Sequence, residues 1–353
     1  MHAKLKNLLI TNMLAIFLGI AVSGLMLLFL DKNPINAYAL LIKSVVRDGY
    51  TFADIFVKAT PLMFTALAFA FTYKANLYNI GAQGQFYIGA VIAAGVSLLF
   101  QHALPGPLVL IIALLLSITG GGLWGTFVGF VKAKYNSSEF LVSMMSTYVA
   151  LAIMNYLLRT FLMETKAEYP QTDALEPSVW LPVIFPGTRL HIGFVLAVLA
   201  CIGVWILLYK TPLGYRIRAV GHNARAAEMS GINVKRIYVL AFFISGALAA
   251  AAGFTEVNGV QHMLVQGFNI DIGAAGIGIA ILANGNPIGI IFAAILFGAL
   301  KVGGTIMGQM SGIPSSIIEL MQGFVMVFVI LAYFVRSWLE NNREKRNLQK
   351  AVV

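Results

Sequence analysis

Two stretches of this chain gather side chains able to handle a polar solute. Asn76, Asn79, Gln83 and Gln85 in the first, and Asn258, Asn269 and Asp271 in the second, together supply hydrogen-bond donors and acceptors. Phe86, Tyr87 and Phe268 stand beside them, with faces on which a planar base could stack. Such a set can recognise and pass a solute; it cannot break a bond. The same amides could equally serve main-chain groups freed where a helix breaks. Asp271, Glu256 and Glu319 are candidate proton or sodium sites, because acids within apolar runs are costly. Asp271 and Glu319 nevertheless fall near the ends of expected spans, and no dense acidic cluster accompanies them. The five histidines lack metal-site spacing such as H-E-x-x-H, and the single cysteine, Cys201, allows neither a disulfide nor a cysteine metal cluster. We expect no catalytic residue and no metal site.

The elements that must position these residues are membrane helices. Of 353 residues 59% are hydrophobic and 11% charged, and the mean hydropathy of +0.84 lies outside the range of a soluble domain. The expected fold class is all-α, a polytopic membrane protein in one transmembrane domain. The net charge of +10 could suggest nucleic acid, but the basic residues lie between apolar runs and at the C-terminus, as membrane anchors do. We expect no nucleic-acid partner. At about 20 apolar residues per crossing, the runs near 8–30, 54–73, 80–101, 107–131, 140–161, 190–209, 237–254, 271–284, 287–306 and 315–335 give about ten transmembrane helices. The first run follows Lys4 and Lys6 as a signal peptide would, but its about 23 residues exceed a signal core, so it is expected to remain as an anchor.

With the N-terminus inside, sixteen of the 24 Lys and Arg fall on cytoplasmic segments, which favours both termini in the cytoplasm. Residues 162–189 then form a long external loop holding Glu164, Glu168, Asp173 and Glu176. It could dock an extracellular binding protein or be an ordinary solvated loop. On the cytoplasmic side, Lys210, Arg216, Arg218, Arg225, Lys235 and Arg236 mark segment 211–237 as a basic island between two apolar runs. Asn223 can cap a short helix from Ala224 to Met229, and Gly231 can end it in a left-handed turn.

Two parts of the chain echo each other. Asn79-Ile80-Gly81-Ala82-Gln83-Gly84 is similar to Asp271-Ile272-Gly273-Ala274-Ala275-Gly276, Pro107 to Pro287, Gly121-Gly122 to Gly303-Gly304, and Ser137-Ser138 to Ser315-Ser316. Residues 54–161 and 237–335 are therefore candidate repeats. The span count places Pro107 outside and Pro287 inside, so the repeat is expected to be inverted, with a solute path at its interface beside broken helices. The break is visible in 271–284, whose 14 residues cover roughly 21 Å, short of a core about 30 Å thick. The preceding stretch, Thr255 to Ile270, is too polar for lipid and is expected to be re-entrant and shielded by protein. Gly121, Gly125 and Gly129, and the alanine-rich run from Gly246 to Gly253, are expected to let helices pack closely.

The string Ala219-Val220-Gly221-His222-Asn223-Ala224-Arg225-Ala226-Ala227, followed by Ser230-Gly231-Ile232-Asn233-Val234, resembles the coupling-helix signature of ABC importer permeases for sugars, branched-chain amino acids and nucleosides. Asn76 to Ala90 and Gly267 to Gly304 are similar to the nucleoside-transporting branch, whose permeases work with a lipoprotein of the basic-membrane-protein type. The resemblance implies that Gly221, His222, Asn223, Ala224, Arg225, Ala227, Glu228 and Gly231 seat in a separate ATPase. It also implies a second, often non-identical permease chain, an extracellular substrate-binding lipoprotein, and a bacterial cell membrane location. This chain has no G-x-x-x-x-G-K-S/T loop, so it is expected to hold no cofactor, with ATP and magnesium in the partner. The expected function is nucleoside import by alternating access. Import of ribose-like sugars or branched-chain amino acids is the alternative, and an ion-coupled secondary transporter a further one.

Overall fold

Backbone that crosses hydrocarbon must satisfy its own polar groups, and this chain does so with helices. The computed structural model describes residues 17–29, 31–166, 168–268, 271–313, 317, 319–328 and 331–332. The helices are α1 (Phe17–Phe29), α2 (Pro34–Val45), α3 (Gly49–Tyr73), α4 (Ala82–Phe100), α5 (Gly106–Tyr135), α6 (Glu139–Leu158), α7 (Gly193–Lys210), α8 (Pro212–His222), α9 (Ala224–Met229), α10 (Val234–Glu256), α11 (Ile272–Leu282), α12 (Pro287–Ser311) and α13 (Glu319–Phe328). Among the described residues, seven helices are long and apolar enough to cross a membrane, and three shorter apolar ones, α1, α11 and α13, fall on the remaining expected runs. The protein is thus an all-helical, polytopic membrane protein.

The chain divides into two compact units, residues 52–298 and residues 1–51 with 299–353. In the second unit Leu27 and Ala37 pack with Met307, Ile313 and Met321. Its helix α2 was not expected, because its 12 residues are too few to read as a span; Asn33 caps it by accepting the Ile35 and Asn36 amides. Residues Ser315 and Ser316 of the sequence echo lie outside the described residues.

The unit 52–298 is organised around α3, α4, α5 and α10. Small residues decide how closely they approach. A Cβ at Gly121 would meet Ala250, one at Gly125 the Phe242 carbonyl, one at Gly89 the Ala250 main chain, and one at Gly246 the Gly121 carbonyl. The glycines and alanines expected to permit close packing therefore bring the backbones of α4, α5 and α10 together. Along its most apolar stretch α3 is 89% buried, against 28% in α6 and α7. Helix α3 is accordingly enclosed by protein, whereas α6 and α7 turn most of their surface outward.

Two boundaries differ from expectation. Helix α3 starts five residues before the apolar run, at Gly49, because Asp48 accepts the Thr51 amide at 2.7 Å and so caps a polar first turn. The polar stretch that opens at Thr255 is shielded by protein as expected, and it begins as a continuation of α10, which was expected to end at 254. The helix continues through Glu256 into a π-helical turn, Val257–Gln261, since Thr255, Glu256 and Asn258 are all buried in protein and their polarity meets no lipid.

Candidate functional site

The echoed segments meet. After α3 the chain turns through residues 74–81, and α4 opens on Ala82, Gln83, Gly84, Gln85, Phe86 and Tyr87, all buried. Gly81 is required there, because a Cβ would stand 2.7 Å from the Ser143 carbonyl oxygen. The Gln83 side-chain oxygen accepts the Gly273 amide at 2.6 Å, so the N-termini of α4 and α11 abut. That amide belongs to the first turn of α11, where main-chain donors have no partner within the helix. Behind this junction α11 packs on α3: Thr65 Oγ1 donates to the Ile272 carbonyl at 3.2 Å, and a Cβ at Gly276 would stand 2.6 Å from Thr65 Oγ1.

An aromatic cluster sits beside the junction. The ring centroids of Phe86 and Phe268 are 5.3 Å apart, those of Tyr87 and Phe268 6.1 Å, and those of Phe86 and Tyr87 5.7 Å. Gln83 is hydrogen-bonded to the Tyr87 hydroxyl, and the Asp271 carboxylate is near enough to act on Tyr87 electrostatically. Asp271 itself is exposed at the head of α11. Gln83, Phe86, Tyr87, Phe268 and Asp271 thus form one group: two helix N-termini, ring faces, an amide and an acid.

The other candidate residues lie apart from that group. The Asn79 amide donates to Gln85 at 2.8 Å and to Ser245 at 2.7 Å, and Ser245 donates to the Ala68 carbonyl at 2.6 Å. This buried knot fastens α3, α4 and α10. Asn258 donates to Ser97 and to the Val179 carbonyl, towards the far end of α4. Asn76 is exposed in a left-handed turn (φ 56°) just after α3. Asn269 lies outside the described residues. Gly273, Thr65 and Ser245 were missed as site-builders; only Gly273 carried a signal, its place in the echo.

The basic segment forms a two-helix projection. Thr211 caps α8 by accepting the Gly214 amide at 3.1 Å. Asn223 ends α8 and caps α9, its side-chain oxygen accepting the Ala226 amide at 3.1 Å. Gly231 then leaves α9 with φ +82°, the left-handed exit that glycine tolerates. His222, Asn223, Arg225, Glu228 and Gly231 are exposed, Met229 at 92%, whereas Ala227 is buried and Gly221 and Ala224 are half-buried. A Cβ at Gly221 would meet the Lys74 carbonyl oxygen, so α8 rests on the α3–α4 connection.

Segment 162–189 is held to the α10–α11 connection. Leu181 donates to the Asn258 carbonyl, Leu175 to that of His262, and Thr172 to that of Leu264, while Gln266 donates to that of Pro170. Trp180 stacks on His262 at 3.8 Å. Burial, with the nearby His262 secondarily, pushes the His191 imidazole down to about 4. Burial and then the Arg189 charge lower His262 as well. The Gln171 side chain and the Tyr169 amide hold Glu164 below the usual carboxylate range, and Thr165 does the same for Asp173. The segment is therefore ordered by its own acids. Among the described residues no group of three or more His, Cys, Asp or Glu could hold a metal ion.

A family model described as branched-chain amino acid transport system / permease component matches residues 51–330. The guanosine ABC transporter permease protein NupP of Bacillus subtilis is 32% identical over 98% of this chain and 99% of its own length. The glucose ABC transporter permease protein TsgB13 of Haloferax volcanii is 29% identical, covering 93% of this chain and 88% of that one. The nucleoside ABC transporter permease protein NupB of Lactococcus lactis is 28% identical, covering 96% and 95%. With the family model spanning most of its length and a relative matching it end to end, this chain belongs to the family of branched-chain amino acid transport system permease components.

Proposed function

We propose that this chain carries nucleosides, guanosine among them, inward across a bacterial cell membrane as the permease of an ATP-driven importer. The end-to-end similarity to a guanosine permease protein carries the reading. The group of Gln83, Phe86, Tyr87, Phe268 and Asp271 agrees with it, since a nucleoside offers a flat base to rings and ring nitrogens and hydroxyls to an amide and an acid. In this reading a partner ATPase, holding ATP and magnesium, seats on the exposed face of α9, and a substrate-binding lipoprotein docks on 162–189. A second, non-identical permease chain completes the path, and both termini lie in the cytoplasm. Each docking element touches a connection that leads to the helix junction: α8 the turn after α3, and 162–189 the segment after α10. Motion at either face thus has a mechanical route to the N-termini of α4 and α11, as alternating access requires.

The test is uptake of radiolabelled guanosine and uridine by cells expressing this chain with its ATPase and receptor. Gly221 is a poor place to break coupling, since any side chain there collides with Lys74. Arg225→Glu with Met229→Asp alters only exposed residues. ATP-dependent uptake lost in that variant, with normal membrane levels, supports the proposal. The glucose carried in one relative's name makes sugar import the second reading. Uptake of glucose or ribose but not nucleosides would replace the cargo, and uptake indifferent to ATP would remove the coupling.

A further inference from the structure

Lys74 has contacts in two directions. Its carbonyl oxygen lies against Gly221, in the last turn of α8, with the Ala75 Cα close by on the same side. Its ammonium turns the other way: Nζ donates to the Asn284 carbonyl oxygen at 3.3 Å, and a Cβ at Gly285 would stand 3.1 Å from Nζ. Asn284 and Gly285, with φ of 54° and 61°, form the tight turn that ends α11. A cation at that point faces the negative end of the helix dipole and binds a carbonyl of the turn just past the helix. Burial, and then the Arg218 charge, lower the Lys74 pKa. A second cation is thus kept beside Arg218 although its neighbours disfavour it.

We infer that Lys74 is the positioning residue that passes movement of the α8–α9 projection to α11, and so to the junction of Gln83 with Gly273. The inference rests on reading 211–237 as the ATPase-coupling segment. Helix α11 has 11 residues, about 16 Å long, and its two ends are fixed differently. One end is held by Lys74, which α8 touches; the other abuts α4 beside the aromatic cluster. A stiff rod of that length carries a displacement of its C-terminal turn to its N-terminus. Without the ammonium, α8 still touches the Lys74 peptide but has lost this link to the turn after α11.

The experiment follows α11 without relying on any cargo. In the full importer with ATPase and receptor, on a Cys201→Ala background, Ala274→Cys places a thiol at an exposed position in the first turn of α11. The labelling rate with a small hydrophilic maleimide is compared with and without ATP and vanadate, while ATP hydrolysis is measured separately. With Lys74 present the rate changes on trapping. In Lys74→Met the ATP-dependent change falls by about fivefold or more, although hydrolysis continues, and Lys74→Arg restores it because the cation is kept. If Lys74→Met responds like the parent while Arg225→Glu with Met229→Asp does not, the inference is wrong and the coupling segment stands. If the α9 double variant also responds like the parent, the coupling reading fails and takes the inference with it.

Discussion

The Gln83 side-chain oxygen accepts the main-chain amide of Gly273 at 2.6 Å, across 190 positions of sequence. Each residue lies in one of the two echoed segments, so the similarity along the chain becomes a contact in space. Gln83→Leu leaves that buried amide without a partner, at a cost of about 1–3 kcal/mol. Purified Gln83→Leu should melt at a lower temperature than the parent. Gln83→Glu keeps the acceptor and adds a charge that a helix N-terminus favours, so it should lose less; equal losses in both would show that the bond is not what matters.

Packing glycines and outward-facing glycines should part company. A side chain at Gly246 collides with the Gly121 carbonyl, whereas Gly203 on α7 has nothing within 4 Å. Gly246→Leu should therefore abolish accumulation in the membrane. Gly203→Ala should be neutral or stabilise by about 0.5–1 kcal/mol through its helix preference. Quantitative blotting of membrane fractions and melting of the purified variant check the pair.

The cap of α9 offers a change confined to the surface. Asn223→Ala removes the acceptor of the Ala226 amide and weakens a helix too short to hold itself, by about 1 kcal/mol. ATP-dependent uptake should fall while the melting temperature of the whole protein barely moves. Asn223→Ser retains a capping oxygen and should retain most of the uptake.

The amide knot and the proposed path residues should respond differently to substitution. Phe268→Leu removes a ring contact worth about 0.5–1.5 kcal/mol, so the half-saturating guanosine concentration should rise by about twofold to tenfold. Asn79→Leu breaks the knot with Gln85 and Ser245 and should lower the melting temperature. Uptake by the protein that survives should keep its half-saturation. An unchanged concentration in Phe268→Leu would remove the ring cluster from the path.

Acid should loosen the packing around His191. His191 is 1% exposed, and its pKa falls from 6.5 to about 4 on folding. Between those values the unfolded chain binds more protons than the folded one, so stability falls as pH falls through that window. His191 alone contributes up to about 3 kcal/mol across it, and His262, lowered too, acts in the same sense. Melting temperatures measured at about pH 7 and about pH 5 should differ less in His191→Gln than in the parent.

What the sequence by itself determined is what depends on neighbours along the chain. Apolar runs locate the membrane helices because hydrocarbon demands helices of a set length. Asn223 and Gly231 delimit α9 because caps act over three or four residues. The polarity of Thr255 to Ile270 was legible, and so was its need for shielding, which the burial of Thr255, Glu256 and Asn258 meets; that α10 runs on into a π-turn there was not, because it depends on the protein packed around it. Only the tertiary structure decided which amides are spent. Asn79 and Gln85 are consumed by each other and by Ser245, 166 positions from Asn79. Gln83, identical in type to Gln85 and two residues away, reaches Gly273 instead. Lys74 gave no local sign of its two contacts, since Gly221 and Asn284 both lie more than a hundred residues further along. Side chains of one type differ in role through partners that folding brings from afar, and no local pattern records them.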